Sequence, residues 1–175
     1  MNTLPVWVHD WEIRCCGQGH VAVVGEPWSE VLLLRTSTLE RTSRPTPGWT
    51  HSGELVEFIG MVVARAGGVL ELDLGAIVVG LRAWTDEERW TELAGTMVVG
   101  TGQVWADWHT AFHPDLDHEV TVEGTVRKIS TVEPIFEQTG GRTSKVVGYE
   151  PVQAEAWPPR FQSPNVIVEL EIPTG

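Results

Sequence analysis

The sequence predicts a mainly β protein, a partly open β-barrel or a sandwich with one short α-helix. Two observations support this class. Short apolar runs alternate with polar residues at a period of two, and clusters of glycine, proline and polar residues separate these runs at close intervals. Such spacing is typical of barrels and sandwiches. Because the 175 residues contain no repeat and no separating linker, we expect a single domain over residues 1–175.

The strand predictions follow from this alternation. Val166–Ile172 places its apolar side chains on one face, and Val120–Val126 forms a similar set. The second set loses its phase at Arg127 and Lys128, which predicts a bulge or bend after Gly124. The other predicted strands are Val6–Val8, Val21–Val24, Val31–Leu34, Glu54–Arg65, Leu70–Leu74 and Ile77–Leu81, with a tight turn at Ala66–Gly68. Loop composition marks Thr36–Gly53, Gln138–Lys145 and Ala156–Pro164.

One helix is predicted near residues 86–94. Thr85 is suited to cap it, and Glu88 occupies the position at which a capping box places a glutamate. Acidic residues in the first turn complement the positive end of the helix dipole. Gly95 is the predicted stop.

The charge of the chain is strongly acidic and unevenly distributed. The net charge is −12, and residues 51–125 alone carry thirteen acidic side chains against three arginines. Such a surface repels phosphate backbones and anionic lipid, so no nucleic-acid and no membrane partner is expected. It would suit a basic protein partner. The alternative is that the acidic surface only keeps the protein soluble.

The N-terminal residues and the cysteines favour a cytoplasmic location. His9, Asp10 and Glu12 interrupt the first apolar residues, so no signal peptide is predicted, and no apolar run has the length of a membrane helix. A disulfide between the neighbouring Cys15 and Cys16 would close a very small strained ring. We therefore expect reduced thiols.

The segment from Trp7 to His20 contains the most unusual local composition. His9, Cys15, Cys16 and His20 are metal-ligand types within twelve residues, and Cys15, Cys16 and His20 form a weak candidate zinc site. Adjacent cysteines point in divergent directions on an extended chain. A tight turn with one buried thiol, and with Gly17 in a backbone conformation that only glycine adopts readily, is therefore favoured over a metal site.

This segment also carries a resemblance. Val6-Trp7-Val8-x-Asp10-Trp11 followed by Cys15-Cys16-Gly17, together with Gly124-Thr125-Val126-x-x-Ile129-x-x-Val132 and an aromatic Phe161 before the last strand, resembles a family of small bacterial proteins. The resemblance covers about the first thirty residues and parts of the last fifty. Because the function of that family is unknown, the resemblance implies a shared fold and assigns no catalytic residue.

A second candidate site lies between Trp105 and His118. Three histidines and three aspartates fall within these fourteen residues, which could hold a metal or pair a histidine base with a carboxylate. A loop of solvated polar side chains is the favoured alternative because Pro114 and its neighbours form turns. The candidate binding residues are Trp105, Asp107, Trp108, His109 and His113.

Two classes of function remain open from the sequence. The favoured hypothesis is a non-catalytic binding module that engages a basic protein partner through an acidic, tryptophan-containing surface, as an antitoxin or immunity protein would. The alternative is a small enzyme or a ligand- or metal-binding β-barrel that uses residues 109–118. No complete catalytic constellation and no cofactor motif is present, so no catalytic residue and no cofactor is assigned. The sequence does not determine the oligomeric state.

Overall fold

A computed structural model describes residues 2–16, 21–65, 70–83, 90–106, 121–138, 144–158 and 165–173. This part of the chain forms ten strands and one short helix, α1 (Asp10–Cys16). The strands are β1 (Asn2–Val8), β2 (Pro27–Arg41), β3 (Gly48–Ser52), β4 (Leu55–Ala64), β5 (Leu70–Asp73), β6 (Val78–Ala83), β7 (Met97–Ala106), β8 (Thr121–Gln138), β9 (Ser144–Gln153) and β10 (Val166–Ile172). The predicted mainly β class with one short helix is confirmed. No helix within these ranges is long and apolar enough to span a membrane.

The strands form a single sheet whose hydrogen bonding closes on itself twice. One ring of paired strands runs β4-β5-β6-β2-β7 and returns to β4. The other runs β1-β10-β8-β2-β7 and returns to β1. Both rings share the long antiparallel pair β2–β7, while β3 and β9 are the terminal strands of the sheet. The architecture is therefore two closed circuits joined along one pair of strands.

The hydrophobic core lies on the inner face of these rings. Val6 and Val8 of β1 contribute to one cluster that also includes Val104 of β7, Phe58 of β4 and Leu72 of β5. This single cluster thus collects side chains from both rings. We call the opposite side of the sheet the outer face.

Glycines allow the strands to approach closely where the rings meet. A Cβ atom on Gly100 of β7 would lie 2.4 Å from the carbonyl oxygen of Thr38 and 2.8 Å from the ring of Phe58. In β2 an extra residue between Thr36 and Thr38 shifts the register to β7. The buried Thr36 hydroxyl lies 2.6 Å from the carbonyl oxygen of Thr101 and 2.9 Å from that of Thr38. It thus provides a hydrogen-bond partner for the backbone where the strand is irregular.

The predicted bulge in β8 is confirmed. Lys128 pairs with Glu169 and Val126 pairs with Leu170, so Arg127 is the extra residue. The bulge lets Val126 and Ile129, which are three residues apart, both reach the core. The phase break in the sequence was therefore a genuine register signal.

Helix α1 replaces the tight turn that was predicted at the cysteine pair. The first helical hydrogen bond runs from the N–H of Ile13 to the carbonyl of His9, which makes His9 the N-cap residue. Glu12 lies three residues later and accepts a hydrogen bond from the His9 backbone N–H at 3.4 Å, as in a capping box. Arg14 pairs with Asp10 one turn earlier. The predicted tight turn does not form at Cys15 and Cys16, because capping favours a helix that includes both residues. The predicted buried thiol and the predicted backbone conformation of Gly17 lie outside the described residues.

Two other local predictions were also wrong. Val21–Val24 is not a strand: Gly25 has a φ of 90°, and a turn bond joins the N–H of Glu26 to the carbonyl of Val23. Thr36–Gly53 is not one loop, since β2 continues to Arg41 and β3 begins at Gly48. In the second case the pairing of β2 with β7, which is distant in the sequence, extends the strand to Arg41, and local composition does not report such pairing.

The helix predicted near residues 86–94 lies partly outside the described residues. Trp90 and Thr91 are helical, and a turn bond joins the N–H of Leu93 to the carbonyl of Trp90 at 2.9 Å. Gly95 follows with a φ of 76°, which agrees with its predicted role as the stop. Trp90 is buried in the core.

Candidate functional site

Trp105 is the one predicted binding residue whose surroundings the structure describes. It lies near the end of β7 with its side chain on the outer face, opposite Leu33 of β2 and Trp7 of β1. Asp107, Trp108, His109 and His113, like the rest of the segment to His118, lie outside the described residues. The alternative function based on residues 109–118 therefore stays a prediction.

Trp105 belongs to a lateral row of buried side chains on the outer face. Directly paired residues in neighbouring strands point to the same face of a sheet. The pairing therefore aligns five buried residues, Leu33, Trp105, Trp7, Ile167 and Ser130, across five strands. Trp7, Trp105, Val132 and Ile167 form a separate hydrophobic cluster, which we call the outer-face cluster.

The Trp105 ring is enclosed by aromatic and cationic groups. Its centroid lies 5.2 Å from that of Trp7 and 4.0 Å from that of His9, with interplanar angles of 27° and 23°. The guanidinium carbon of Arg35 lies 4.7 Å from the Trp105 ring centroid, within the range of a cation–π interaction. Alternation in β2 places Arg35 on the same face as Leu33, and His9 follows the end of β1 directly, two residues after Trp7.

Arg35 and His9 are also hydrogen-bonded to each other. The Nη1 atom of Arg35 lies 2.9 Å from Nε2 of His9. Because a guanidinium group only donates, Nε2 must accept, and the imidazole is then the neutral tautomer with its proton on Nδ1. A neutral His9 also avoids placing two cations against one indole ring. The hydrogen bond between Arg35 and His9 therefore orients the His9 imidazole where it stacks on the Trp105 ring.

Two buried polar groups in this region lack a partner among the described residues. The indole N–H groups of Trp7 and Trp105 are inaccessible to solvent and make no hydrogen bond to any residue that the structure describes. Leaving a buried donor unsatisfied costs about 1–3 kcal/mol, so burial of the two rings must outweigh that cost. The site consists of stacked aromatic rings and indole hydrogen-bond donors. Such a site is better suited to packing than to acid–base chemistry.

The metal-site prediction is not tested by the described part of the chain. The backbone of Cys15 and Cys16 is helical, but their side chains, and all of His20, fall outside what the structure describes. Within the residues it does describe, no group of three or more histidine, cysteine, aspartate or glutamate side chains could hold a metal ion.

Most of the described tryptophans are buried and do not form a surface. Trp7, Trp28, Trp49, Trp90 and Trp105 are all less than a tenth exposed. Trp11 in α1 is 41% exposed, and its ring lies 6.1 Å from that of His9. A tryptophan-rich binding surface therefore finds little support among these residues.

Six of the twelve exposed large apolar side chains in the described part of the chain lie instead on the distal part of the β8–β9 hairpin, which sequence analysis did not single out. We call residues 133–138 of β8 together with Ser144–Gln153 the arm. Phe136 is 60% exposed and Tyr149 is 68% exposed. The exposed large apolar side chains of the arm are Ile135, Phe136, Val146, Val147, Tyr149 and Val152. Surface patches of this kind mark interaction sites in soluble proteins.

The arm projects because β8 loses one of its two neighbours. Pairing between β10 and β8 ends at Thr131, opposite Val166, whereas pairing between β9 and β8 continues to Gln138. Within the described ranges, no third strand pairs with this two-stranded ribbon. Every residue of β8 beyond Val132 is accordingly exposed.

The two faces of the arm differ in chemistry. Pro134 pairs with Tyr149 and Phe136 pairs with Val146, and alternation in β8 places both pairs on the side of Val132. We call this the uncharged face. Glu133 pairs with Glu150 and Glu137 pairs with Lys145 on the other side, the charged face.

Two glutamates of the charged face stand directly opposite each other. Like charges at paired positions of an antiparallel ribbon are destabilising. The hydroxyl of Thr131 lies 3.3 Å from Oε1 of Glu133, and neither Glu133 nor Glu150 forms an ion pair with another described residue. The Glu133–Glu150 pair is thus an exposed concentration of negative charge.

The open edge of β9 is interrupted by a proline. Val132, opposite Pro151, donates its N–H to Asn165 and therefore away from β9. Alternation of hydrogen-bonded and non-hydrogen-bonded pairs then directs the backbone of Pro151 to the open edge, where proline has no N–H to offer. A proline at an edge opposes pairing with a further strand.

Comparison with protein-family models, with curated proteins and with solved structures found no match. The resemblance to a family of small bacterial proteins therefore stays a prediction.

Proposed function

We propose that the protein is a non-catalytic binding module that engages a basic protein partner through the arm. The observation that carries this proposal is the exposure of six large apolar side chains on one two-stranded ribbon. Exposed large apolar side chains are common one at a time, whereas six on one short ribbon, with Phe136, Val146 and Tyr149 together on the uncharged face, are typical of an interaction site.

The charge of the chain supports a basic partner. The net charge of −12 attracts a basic protein and raises its association rate, particularly at low salt. The Glu133–Glu150 pair adds a local site for a lysine or an arginine next to the apolar residues. Neutralisation of a basic toxin by an antitoxin or immunity protein is one role of this kind.

The proposed anchors are Phe136 and Tyr149 in place of tryptophan side chains. Aromatic residues dominate binding energy where they become fully buried at the centre of an interface. Phe136 and Tyr149 are the most exposed of the large apolar side chains that the structure describes, so partner binding to the arm would bury the most surface there. Trp11 is far less exposed and lies on α1.

Affinity capture followed by reconstitution tests the proposal. The wild-type chain, a Phe136→Ser/Tyr149→Ser variant and a Leu55→Ser control are immobilised and exposed to an extract of the cells that make the protein. Leu55 is half exposed on β4, outside the arm. A basic protein that is retained by wild type and control but not by the arm variant is then purified.

Isothermal titration calorimetry with the purified proteins completes the test. We expect at least a hundredfold weaker binding for the arm variant, because two aromatic anchors are removed, and no change for Leu55→Ser. Equal affinity of all three chains for the purified partner would refute the proposal that the arm binds it. Acidic partners alone would refute the expected partner chemistry.

A further inference from the structure

We infer that the partner docks side chain against side chain on the uncharged face of the arm, with an apolar segment bordered by a lysine or an arginine. This inference rests on the proposed function and specifies the face, the mode and the partner chemistry. The alternatives are docking on the charged face, addition of a strand to β9, and association with a second copy of the chain.

The distribution of side chains favours the uncharged face. Pro134, Phe136, Val146 and Tyr149 lie there without a charged neighbour at a paired position. On the charged face, Ile135 and Val152 are not adjacent, because ionisable residues lie between them. Burial of the charged face would remove at least four charges from water, which is costly unless each one is paired.

The proximal end of the uncharged face is also held in place by packed side chains. Val132 lies on the same side of β8 as Phe136, and it belongs to the outer-face cluster with Trp7 and Trp105. The proximal end of the arm is therefore held by packed aromatic rings. A surface that is already ordered loses less conformational entropy on binding.

Strand addition at β9 is disfavoured by the backbone. Pro151 removes one donor from the open edge, and the extra residue Val147 interrupts the regular pairing with β8 between Gly148 and Val146. Proline and bulges are the devices by which natural sheets prevent edge pairing. The apolar side chains are left as the main source of binding energy.

Charge selects a basic partner over a second copy. Two chains with a net charge of −12 repel each other, whereas a basic segment is attracted. A lysine or an arginine at the margin of the docked segment is long enough to reach around the open edge of β9 to Glu150. It would there neutralise the unfavourable Glu133–Glu150 pair.

The test uses a synthetic peptide as a stand-in for the partner segment. A fluorescein-labelled decapeptide of alternating valine and lysine is titrated with the full chain, and its anisotropy gives the Kd. The comparison peptide has glutamate at each lysine position. We expect binding of the Val–Lys peptide only, and about tenfold or greater weakening by Phe136→Ser.

Ile135→Ser is the matched control, because Ile135 directly precedes Phe136 in the sequence, is exposed, and lies on the charged face. We expect it to change the Kd less than twofold. Glu150→Gln should weaken peptide binding about threefold or more while the free protein becomes no less stable, since it relieves the like-charge pair. If Glu150 had a purely structural role, Glu150→Gln would not weaken peptide binding without also lowering the stability of the free protein.

Each other outcome overturns a defined part of the inference. Equal weakening by Ile135→Ser and Phe136→Ser refutes the choice of face but leaves the proposed function intact. Failure of the Val–Lys peptide to bind wild type, or equal binding of the glutamate peptide, refutes the partner chemistry. Sedimentation of a dimer that Phe136→Ser abolishes would assign the face to a second copy. If Phe136→Ser lowers the circular dichroism of the chain, Tyr149→Ser replaces it.

Discussion

The outer-face cluster and the uncharged face of the arm are both apolar surfaces on the same side of the sheet, yet one is buried and the other is exposed. Trp105 is 6% exposed, whereas Phe136 is 60% exposed. The difference begins at Val132, where β8 leaves β10 and keeps only β9 as a neighbour. Apolar side chains within a closed ring of strands stabilise the fold, and the same residue types on a ribbon remain available for binding.

The first prediction concerns stability, where the two regions should differ most. Trp105→Ala is expected to lower the free energy of unfolding by about 3–5 kcal/mol, because it removes a buried ring and leaves a cavity. Phe136→Ala should change it by no more than about 0.5 kcal/mol, as for an exposed site. Urea denaturation monitored by circular dichroism measures both values.

A loss of several kcal/mol in Phe136→Ala would mean that the arm is packed in solution and is not a free surface. A negligible loss in Trp105→Ala would mean that the outer-face cluster contributes little to the fold. Either result would remove the contrast between the two regions.

The second prediction compares two glycines of the β8–β9 region. A Cβ on Gly124 would lie 2.6 Å from Leu170 Cγ and 2.7 Å from the carbonyl oxygen of Glu171, whereas the nearest atom to a Cβ on Gly148 is 3.6 Å away. We expect Gly124→Ala to cost about 1–3 kcal/mol through overpacking and Gly148→Ala to stay within about 0.5 kcal/mol of wild type. Shifts in the urea midpoint decide between these values. Similar costs for both would show that the arm is as tightly packed as the ring.

The smallest expected effect concerns the cation on Trp105. Arg35→Met keeps the length of the side chain but removes the hydrogen bond to His9 and the charge over the indole ring. A loss of about 1–2 kcal/mol is expected, against no more than about 0.5 kcal/mol for Lys145→Met on the exposed arm. Tryptophan fluorescence during denaturation monitors the cluster directly. No difference between the two variants would show that Arg35 does not stabilise the stacked rings.

Local signals in the sequence determined the strand-rich class, the bulge at Arg127 and the stop at Gly95. Each of these depends on the alternation of neighbouring residues or on the backbone freedom of glycine, which a sequence displays directly. Trp105 was found as a candidate because it stands beside a group of histidines and aspartates. Its actual neighbours, Trp7, His9 and Arg35, come from β1 and β2.

Only the tertiary structure decided the closure of the two rings, the continuation of β2 to Arg41, and the division of the apolar residues into covered and exposed groups. Ring closure pairs β2 with β8 and β4 with β7 across long stretches of chain. Val132 and Phe136 lie four residues apart in one alternating strand, so the sequence gives them the same pattern. They differ because the pairing of β8 with β10 stops at Thr131, opposite Val166, and burial depends on the neighbouring strands that a residue gains when the chain folds.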